Sequence, residues 1–584
     1  MAERKANLDA AAGRKAADVV LRHCRLVNVL SGEIEENVDI AIAGTEIVGV
    51  GKDYEAAHEV DVAGRYVYPG LIDAHIHLES TKLTVAEAGR LMARYGTSAV
   101  ITDPHEIANV AGLDGIGFMM DMARDCGFID VFFTAPSCVP ALNDAAIETF
   151  ASELAPDKLR MLQSSKRVVG LGEMMNVPGI VSGDACVAQK LADFADRGVL
   201  DGHAPMVSGK TLNACIYMGI QSDHESTTLE EAREKLRRGM VVMIREGSSE
   251  HNLDALLPLV STRNSSRIMF ASDDLDPSDM MRRGHINHLV KRAVARGIDP
   301  VVALQMATIN PANYFGLSRR MGAIFPGADA NIVVSRDLEN FEPDFVIHRG
   351  QIVYKNGQTA NANRPGVHRL RPTMNMQIPA IGALMIRMEF PEQAHLIDLV
   401  PGQITTRAAK FIPKQVNGLA VADPANGIAK VCVFDRHRCS GGIGRGFVRG
   451  FGIKYGAIGS SVGHDSHNLI VVGVSDGAML RCAQAIVDMG GGQAAVLGDE
   501  TGDIIRLPLP LGGLMSTATY EEVIAQEQQL DEFCAKTLGV TLPHPFAALS
   551  FMSLPVIPSI RITDKGIILI EPGAYPRKVG LFEM

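Results

Sequence analysis

The 584-residue sequence has no tryptophan, an absence to which no function attaches. It also lacks a basic excess. With 56 Lys+Arg against 67 Asp+Glu, the formal charge is -11 and the pI is near 5.9. That excludes the phosphate-neutralising footprint a nucleic-acid partner needs, so a small-molecule partner is expected. The nine cysteines include no CxxC pair and their number is odd, so they do not form a disulfide framework. The N-terminus, MAERKANLDAAAGRKAADVV, has no apolar stretch of the signal-peptide kind, and the expected location is a reducing cytoplasm. No apolar run reaches the roughly 20 residues of a membrane-spanning helix, so no membrane partner is expected. The Gly-rich run CSGGIGRGFVRGFG lacks a following helix and reads as sheet turns, not a phosphate loop. Internal repeats and low-complexity segments are absent as well.

What is present is a large apolar fraction, 47%, in a chain long enough for two or three domains. From Ala17 to Tyr68, short β-type runs alternate with Gly and polar turns, and the same texture returns after Gly322. These two segments, 17–68 and 322–365, are expected to form one discontinuous β-sandwich domain. Between them, residues 69–321 alternate apolar strands with amphipathic helices. Eight strand ends can be counted: LIDAHIH, SAVITDPH, IDVFFTAP, VVGLGEMM, LDGHAP, GIQSDHES, VVMIREGS and RIMFASDD. Eight β/α units close into a (β/α)8 TIM-like barrel. Residues 373–584 read as a further α+β domain with a helix near Glu521 to Thr537.

Catalytic groups of such a barrel sit at the C-terminal strand ends. Strand one ends in His75-Ile76-His77, whose period-two alternation turns both imidazoles to one side. Strand four ends in Glu173, strand five in His203, strand six in His224 and strand eight in Asp273. One such histidine would read as a core residue; an ordered set reads as a metal site. It can supply two ions, with His75, His77 and Asp273 on one, His203 and His224 on the other, and Glu173 between them. A single ion with Glu173 as general acid/base is the open alternative. Strand two ends in Asp103-Pro104-His105-Glu106, which reads equally as a turn or as substrate contact and support for the ligands. His464-Asp465-Ser466-His467 reads first as a polar turn, and second as an additional metal site or part of a lid. His251 reads as a loop hydrogen-bonding residue, and Met174 and Met175 as core.

PGLIDAHIHLES, with its HxH after a short β segment, resembles the amidohydrolase superfamily. Within it, GLIDAHIHLESTKLT, TDPHEIANVAG, GLGEMMNVPG, DGHAP, SDHES and GSSVGHDSHNLIVVG look like the adenine deaminases. Many binuclear superfamily members bridge their ions with a carboxylated lysine on strand four, where this chain has Glu173. The resemblance implies hydrolytic deamination of adenine to hypoxanthine and ammonia, with a metal-bound hydroxide attacking C6. It implies Mn2+ or Fe2+, with Zn2+ also possible, and a homodimer. Asp273 is the expected proton shuttle, with Glu173 second, and Asp274 is expected to contact the substrate or a neighbouring histidine. The rival readings are a cyclic amidohydrolase of the dihydropyrimidine or hydantoin type, and a non-catalytic assembly protein on the same barrel.

Overall fold

The computed structural model describes residues 2–360, 368–400, 403–571 and 575–582. Residues 361–365 of the expected β-sandwich, and 401–402, 572–574 and 583–584 of the expected C-terminal domain, lie outside the described residues. The barrel strands are Leu71–Ile76 (β1), Thr97–Thr102 (β2), Asp130–Ala135 (β3), Val168–Met174 (β4), Val199–Gly202 (β5), Ser222–Asp223 (β6), Val241–Arg245 (β7) and Ile268–Ala271 (β8). Each coincides with one of the eight segments read from the sequence, β2 and β5 starting one residue earlier, at Thr97 and Val199. All neighbours are parallel, β1 to β5 in one run and β6 to β8 in another. The runs are joined by Gln221 N–H donating to Leu200 O at 2.9 Å, and by the parallel bridge of Ile76 with Asp273.

Strand residues are buried on both faces, as a helix-wrapped parallel sheet requires. Inward-facing Ala74, Ile101, Val169, Met243 and Met269 fill the barrel. Below the mouth, Asp73 of β1 accepts from Ser272 N at 3.1 Å and lies 2.9 Å from His285 Nε2, fastening β1 to β8.

The flanking β segments meet in one nine-stranded sheet, in which Tyr66–Pro69 pairs antiparallel with Ile332–Ser335. It wraps a core that includes Leu21, Ile40, Val67, Ile332 and Phe345. The C-terminal part is built on an eight-stranded sheet running Thr406–Phe411, Ala394–Leu399, Ile443–Arg449, Ile428–Phe434, Leu469–Gly473, Ala457–Ser460, Gly492–Val496 and Ile504–Pro508. The Gly-rich run thus contributes the strand Ile443–Arg449. Helices Asp476–Asp488 and Tyr520–Lys536 accompany the sheet, the second closed by a capping box of Thr519 and Glu522.

This C-terminal part covers the barrel mouth. Lys82, after β1, pairs with Asp276 and, at 2.9 Å, with Glu527 of the long helix. Thr149 N–H donates to Asp564 at 2.8 Å, and Asn468 donates to Thr149 O at 2.7 Å.

Glu148, in the loop after β3, is buried in this seam and pushed up to about 8, by burial first and then by Asp465 and Asp564, against a hydrogen bond from Ser466. The folded protein therefore holds a proton there that the unfolded chain releases near the ordinary glutamate value of 4.5. More protons are bound by the folded state in that window, so this group lowers stability as pH rises from about 4.5 to about 8. Glu148→Gln removes the slope. Urea unfolding is expected to show the variant gaining on the wild type between pH 5 and pH 8, by at most about 1.4 kcal/mol per unit; parallel stability profiles would refute it.

Candidate metal centre

All six residues singled out as ligands converge at the C-terminal ends of β1, β4, β5, β6 and β8. His75 Nε2 and His77 Nε2 face each other at 3.3 Å. Asp273 Oδ1 stands 3.1 Å from His77 Nε2 and 3.8 Å from His75 Nε2. These three side chains form one group with metal-ligand spacing. Asp273 is held in the left-handed region, φ 60°, by backbone bonds to both sides of β1: its N–H donates to His75 O at 2.9 Å, and its carbonyl accepts from His77 N at 3.4 Å.

Glu173 joins the two halves. Its Oε1 is 3.4 Å from His77 Nε2, while its Oε2 is 2.8 Å from His203 Nδ1 and 3.1 Å from His224 Nε2. One oxygen thus faces each histidine pair, the arrangement a bridging carboxylate needs. The His75 and His224 rings stack at 4.0 Å across the gap. Burial opposes ionisation of Glu173, but charge on His203 and hydrogen bonds from His105, His203 and His224 hold it well below the usual carboxylate range. Burial likewise opposes Asp273, and the Arg245 guanidinium with His77 outweighs it.

The donor set fits divalent cations. Imidazole nitrogens turned toward one another and toward carboxylate oxygens, all deeply buried except His203, leave lone pairs that one shared cation satisfies together. The groups that steer the ligands are also in place. His77 Nδ1–H donates to Asp103 O at 2.9 Å, which leaves Nε2 free to ligate. Asp103 Oδ2 accepts from Glu173 N at 3.0 Å. Asp103 therefore supports two ligands at once.

His105 does not face the cavity alone: its Nδ1 is 3.2 Å from Glu173 Oε1, and it groups with His77 and Glu173. Glu106 turns away from the strand ends, toward His464 and His467. Asp274 accepts a hydrogen bond from Ser80 and lines a cavity with Glu79, Val462, His464 and Phe551. Burial, and then the neighbouring Asp273, raise the Asp274 carboxyl above its ordinary value. The His464–His467 loop connects two adjacent strands of the C-terminal sheet and meets the barrel mouth, so it is more than a self-contained turn. His251 is half exposed and pairs with Glu246 at 3.1 Å.

Three groups escaped sequence reasoning. Glu225, next to His224, lies 3.5 Å from His224 Nε2 and 3.7 Å from His203 Nδ1 and forms a candidate ligand group with them. Arg245, ending β7, contacts Glu225 and holds Asp273 Oδ2 at 2.6 Å. Asp201 Oδ2 lies 3.6 Å behind His75 Nδ1. An arginine at the end of β7 and an acid within β5 were the available signals for Arg245 and Asp201; Glu225 depends on loop direction.

Comparison with known proteins gives two family matches, the amidohydrolase family over residues 66–353 and the adenine deaminase C-terminal domain over residues 403–572. A protein named adenine deaminase from Desulfatibacillum aliphaticivorans is 43% identical over 98% of this chain and 99% of its own length. One of the same name from Clostridium acetobutylicum is 41% identical, covering 96% of this chain and 97% of that protein. A third, from Methanothrix thermoacetophila, is 42% identical over 96% of both.

Removing the Asp103 carboxylate, which holds the Glu173 backbone, should loosen the metal without removing a ligand. Asp103→Ala is expected to weaken divalent-metal affinity about 10- to 100-fold, read by chelator competition. Unchanged affinity would mean that Asp103 does not orient the centre.

Proposed function

The chain belongs to the adenine deaminases of the amidohydrolase family, and on that premise we propose how its strand ends perform the hydrolysis of adenine to hypoxanthine and ammonia. The observation that carries the reading is the division of Glu173 between the two histidine pairs. His75, His77 and Asp273 would hold one ion, His203 and His224 the other, with Glu173 shared. A divalent pair there supplies activated water at neutral pH and electrophilic stabilisation of developing negative charge.

The protein's own part begins with Asp273. Arg245 occupies its Oδ2, so Oδ1, the oxygen turned to His75 and His77, is the atom that would both face the ion and carry the proton of the attacking water to the leaving nitrogen. Water adds at C6, N1 gains a proton, and the C6–N bond breaks to release ammonia. Asp274, with its raised carboxyl, retains a proton into a higher pH range than an ordinary aspartate and can donate to a ring nitrogen. Ser80 fixes its orientation. Val462 and Phe551 give the purine an apolar wall, and the C-terminal roof limits water around it.

The same proposal includes Mn2+ or Fe2+ as the ions, with Zn2+ as the other possibility, a homodimer, a cytoplasmic setting and a place in purine salvage. No helix among the described residues is long and apolar enough to cross a membrane. The cyclic-amide alternative is not favoured, because the relatives share the full length including the C-terminal part.

Ammonia release from adenine by Mn-loaded protein tests the reading. Asp273→Asn and Glu173→Gln are each expected to lower kcat/KM by about 10²- to 10⁴-fold. Near-wild-type rates in both variants, or ring opening of a dihydropyrimidine without adenine turnover, would overturn it.

A further inference from the structure

Beyond the strand-end centre lies a second polar cluster that the deamination chemistry leaves unused. It is made where the start of helix His105–Asp125 meets the hairpin loop between Ala457–Ser460 and Leu469–Gly473. Glu106 Oε1 lies 3.2 Å from His105 Nε2 and 2.8 Å from His464 Nδ1. His464 Nδ1 is in turn 4.0 Å from Asp465 Oδ1. Ligand atoms of His105, Glu106 and Asp465 all fall within 4.8 Å of one another. Every one of these side chains is buried, Asp465 to 5% exposure and Glu106 to 2%.

Charge and hydrogen bonding both call for a cation. Two carboxylates are buried together, and among the described residues no lysine or arginine pairs with either. Asp465 Oδ2 has no hydrogen-bond partner there. An unpaired buried carboxylate oxygen is costly, and a bound ion removes the cost. The spacing suits one: four ligands at about 2.0–2.1 Å from a tetrahedral ion stand about 3.3 Å apart.

Hydrogen bonding also sorts the three histidines. Gly463 N–H donates to His467 Nδ1 at 3.2 Å, so the proton of neutral His467 sits on Nε2, the ring atom in contact with Glu106 Oε2. His467 therefore supports Glu106 from outside and does not ligate. His464, stacked on Phe551 with ring centroids 4.6 Å apart, keeps Nδ1 toward the cluster. His105 is turned so that Nε2 faces Glu106 and Nδ1 faces Glu173 Oε1 at 3.2 Å.

We propose that His105 Nε2, Glu106 Oε1, His464 Nδ1 and Asp465 form a third site for a first-row divalent ion, distinct from the pair at the strand ends. Two ligands come from the barrel and two from the C-terminal hairpin, so the ion clips the roof onto the mouth. With Nε2 committed to the ion, the proton of neutral His105 lies on Nδ1, the atom 3.2 Å from Glu173 Oε1. The site thereby positions the carboxylate shared by the other two ions. The mixed nitrogen and oxygen donors admit Mn2+, Fe2+ or Zn2+.

The test is a count of ions. Full-length protein is stripped with a chelator, reconstituted with Mn2+, desalted and assayed by mass spectrometry for metal per chain. About three equivalents are expected in the wild type and about two in Asp465→Asn and His464→Gln, with folding checked by circular dichroism. Added Mn2+ should also raise the thermal midpoint of the wild type more than that of either variant. A wild type that holds only about two equivalents overturns the proposal whatever the variants do, and so does an undiminished count in a folded variant. If one variant fails to fold, the other and the wild-type count decide. A wild type with about three Mn2+ that leaves adenine unchanged would uphold this site and overturn the functional reading instead.

Discussion

A carboxylate buried among imidazoles is stable only if positive charge is shared with it, and the imidazoles keep their ring orientations only if it stays in place. Glu173 and its neighbours satisfy that mutual condition at the centre of the barrel mouth. His77 comes to it from β1, His105 from beyond β2, His203 from β5 and His224 from β6. Asp103 fixes the Glu173 backbone from a strand two positions away in the barrel. The ends of β1, β2, β4, β5 and β6 are thus tied through one side chain. Arg245 extends the arrangement to β7 and β8 by holding Asp273 against Glu225.

The barrel and the convergence of the six candidate ligands were legible in the sequence for a physical reason. In a closed parallel barrel each strand is an uninterrupted apolar run, and the first polar residues after it are those that reach the mouth, so LIDAHIH or RIMFASDD displays strand and ligand in one line of text. Glu225 and Arg245 escaped because their directions are set by loop backbone and by a partner on another strand. Neither has a period in sequence. The role of the His464 loop was hidden for a different reason. Its contact with Glu106 joins residues 358 positions apart, and a string such as HDSH looks the same whether it closes on itself or on another domain. The order of the C-terminal sheet was unreadable on the same ground where its hairpins meet, since Ala394–Leu399 beside Ile443–Arg449, Ile428–Phe434 beside Leu469–Gly473 and Ala457–Ser460 beside Gly492–Val496 are not consecutive strands.

The C-terminal part does more than shield the mouth. Buried ion pairs cost desolvation that their attraction only partly offsets, so Lys82 with Asp276 and Glu527 contributes chiefly to where the roof sits. Registration matters because the cavity beside Asp274 is drawn from both parts, with Asp274 and Ser80 on the barrel side and His464 and Phe551 on the other. A displacement of the roof by an ångström would alter both the apolar wall and the hydrogen-bonding edge.

The separation between Asp273 and His464 also has a meaning in time. At ordinary rates of synthesis the roughly 190 residues between them take roughly 10 to 40 s to emerge, and domains fold in the order in which they leave the ribosome. For that interval a barrel that folds as it emerges has strand ends open to solvent. Because the roof follows the barrel in the chain, the mouth can fold first and be enclosed afterwards.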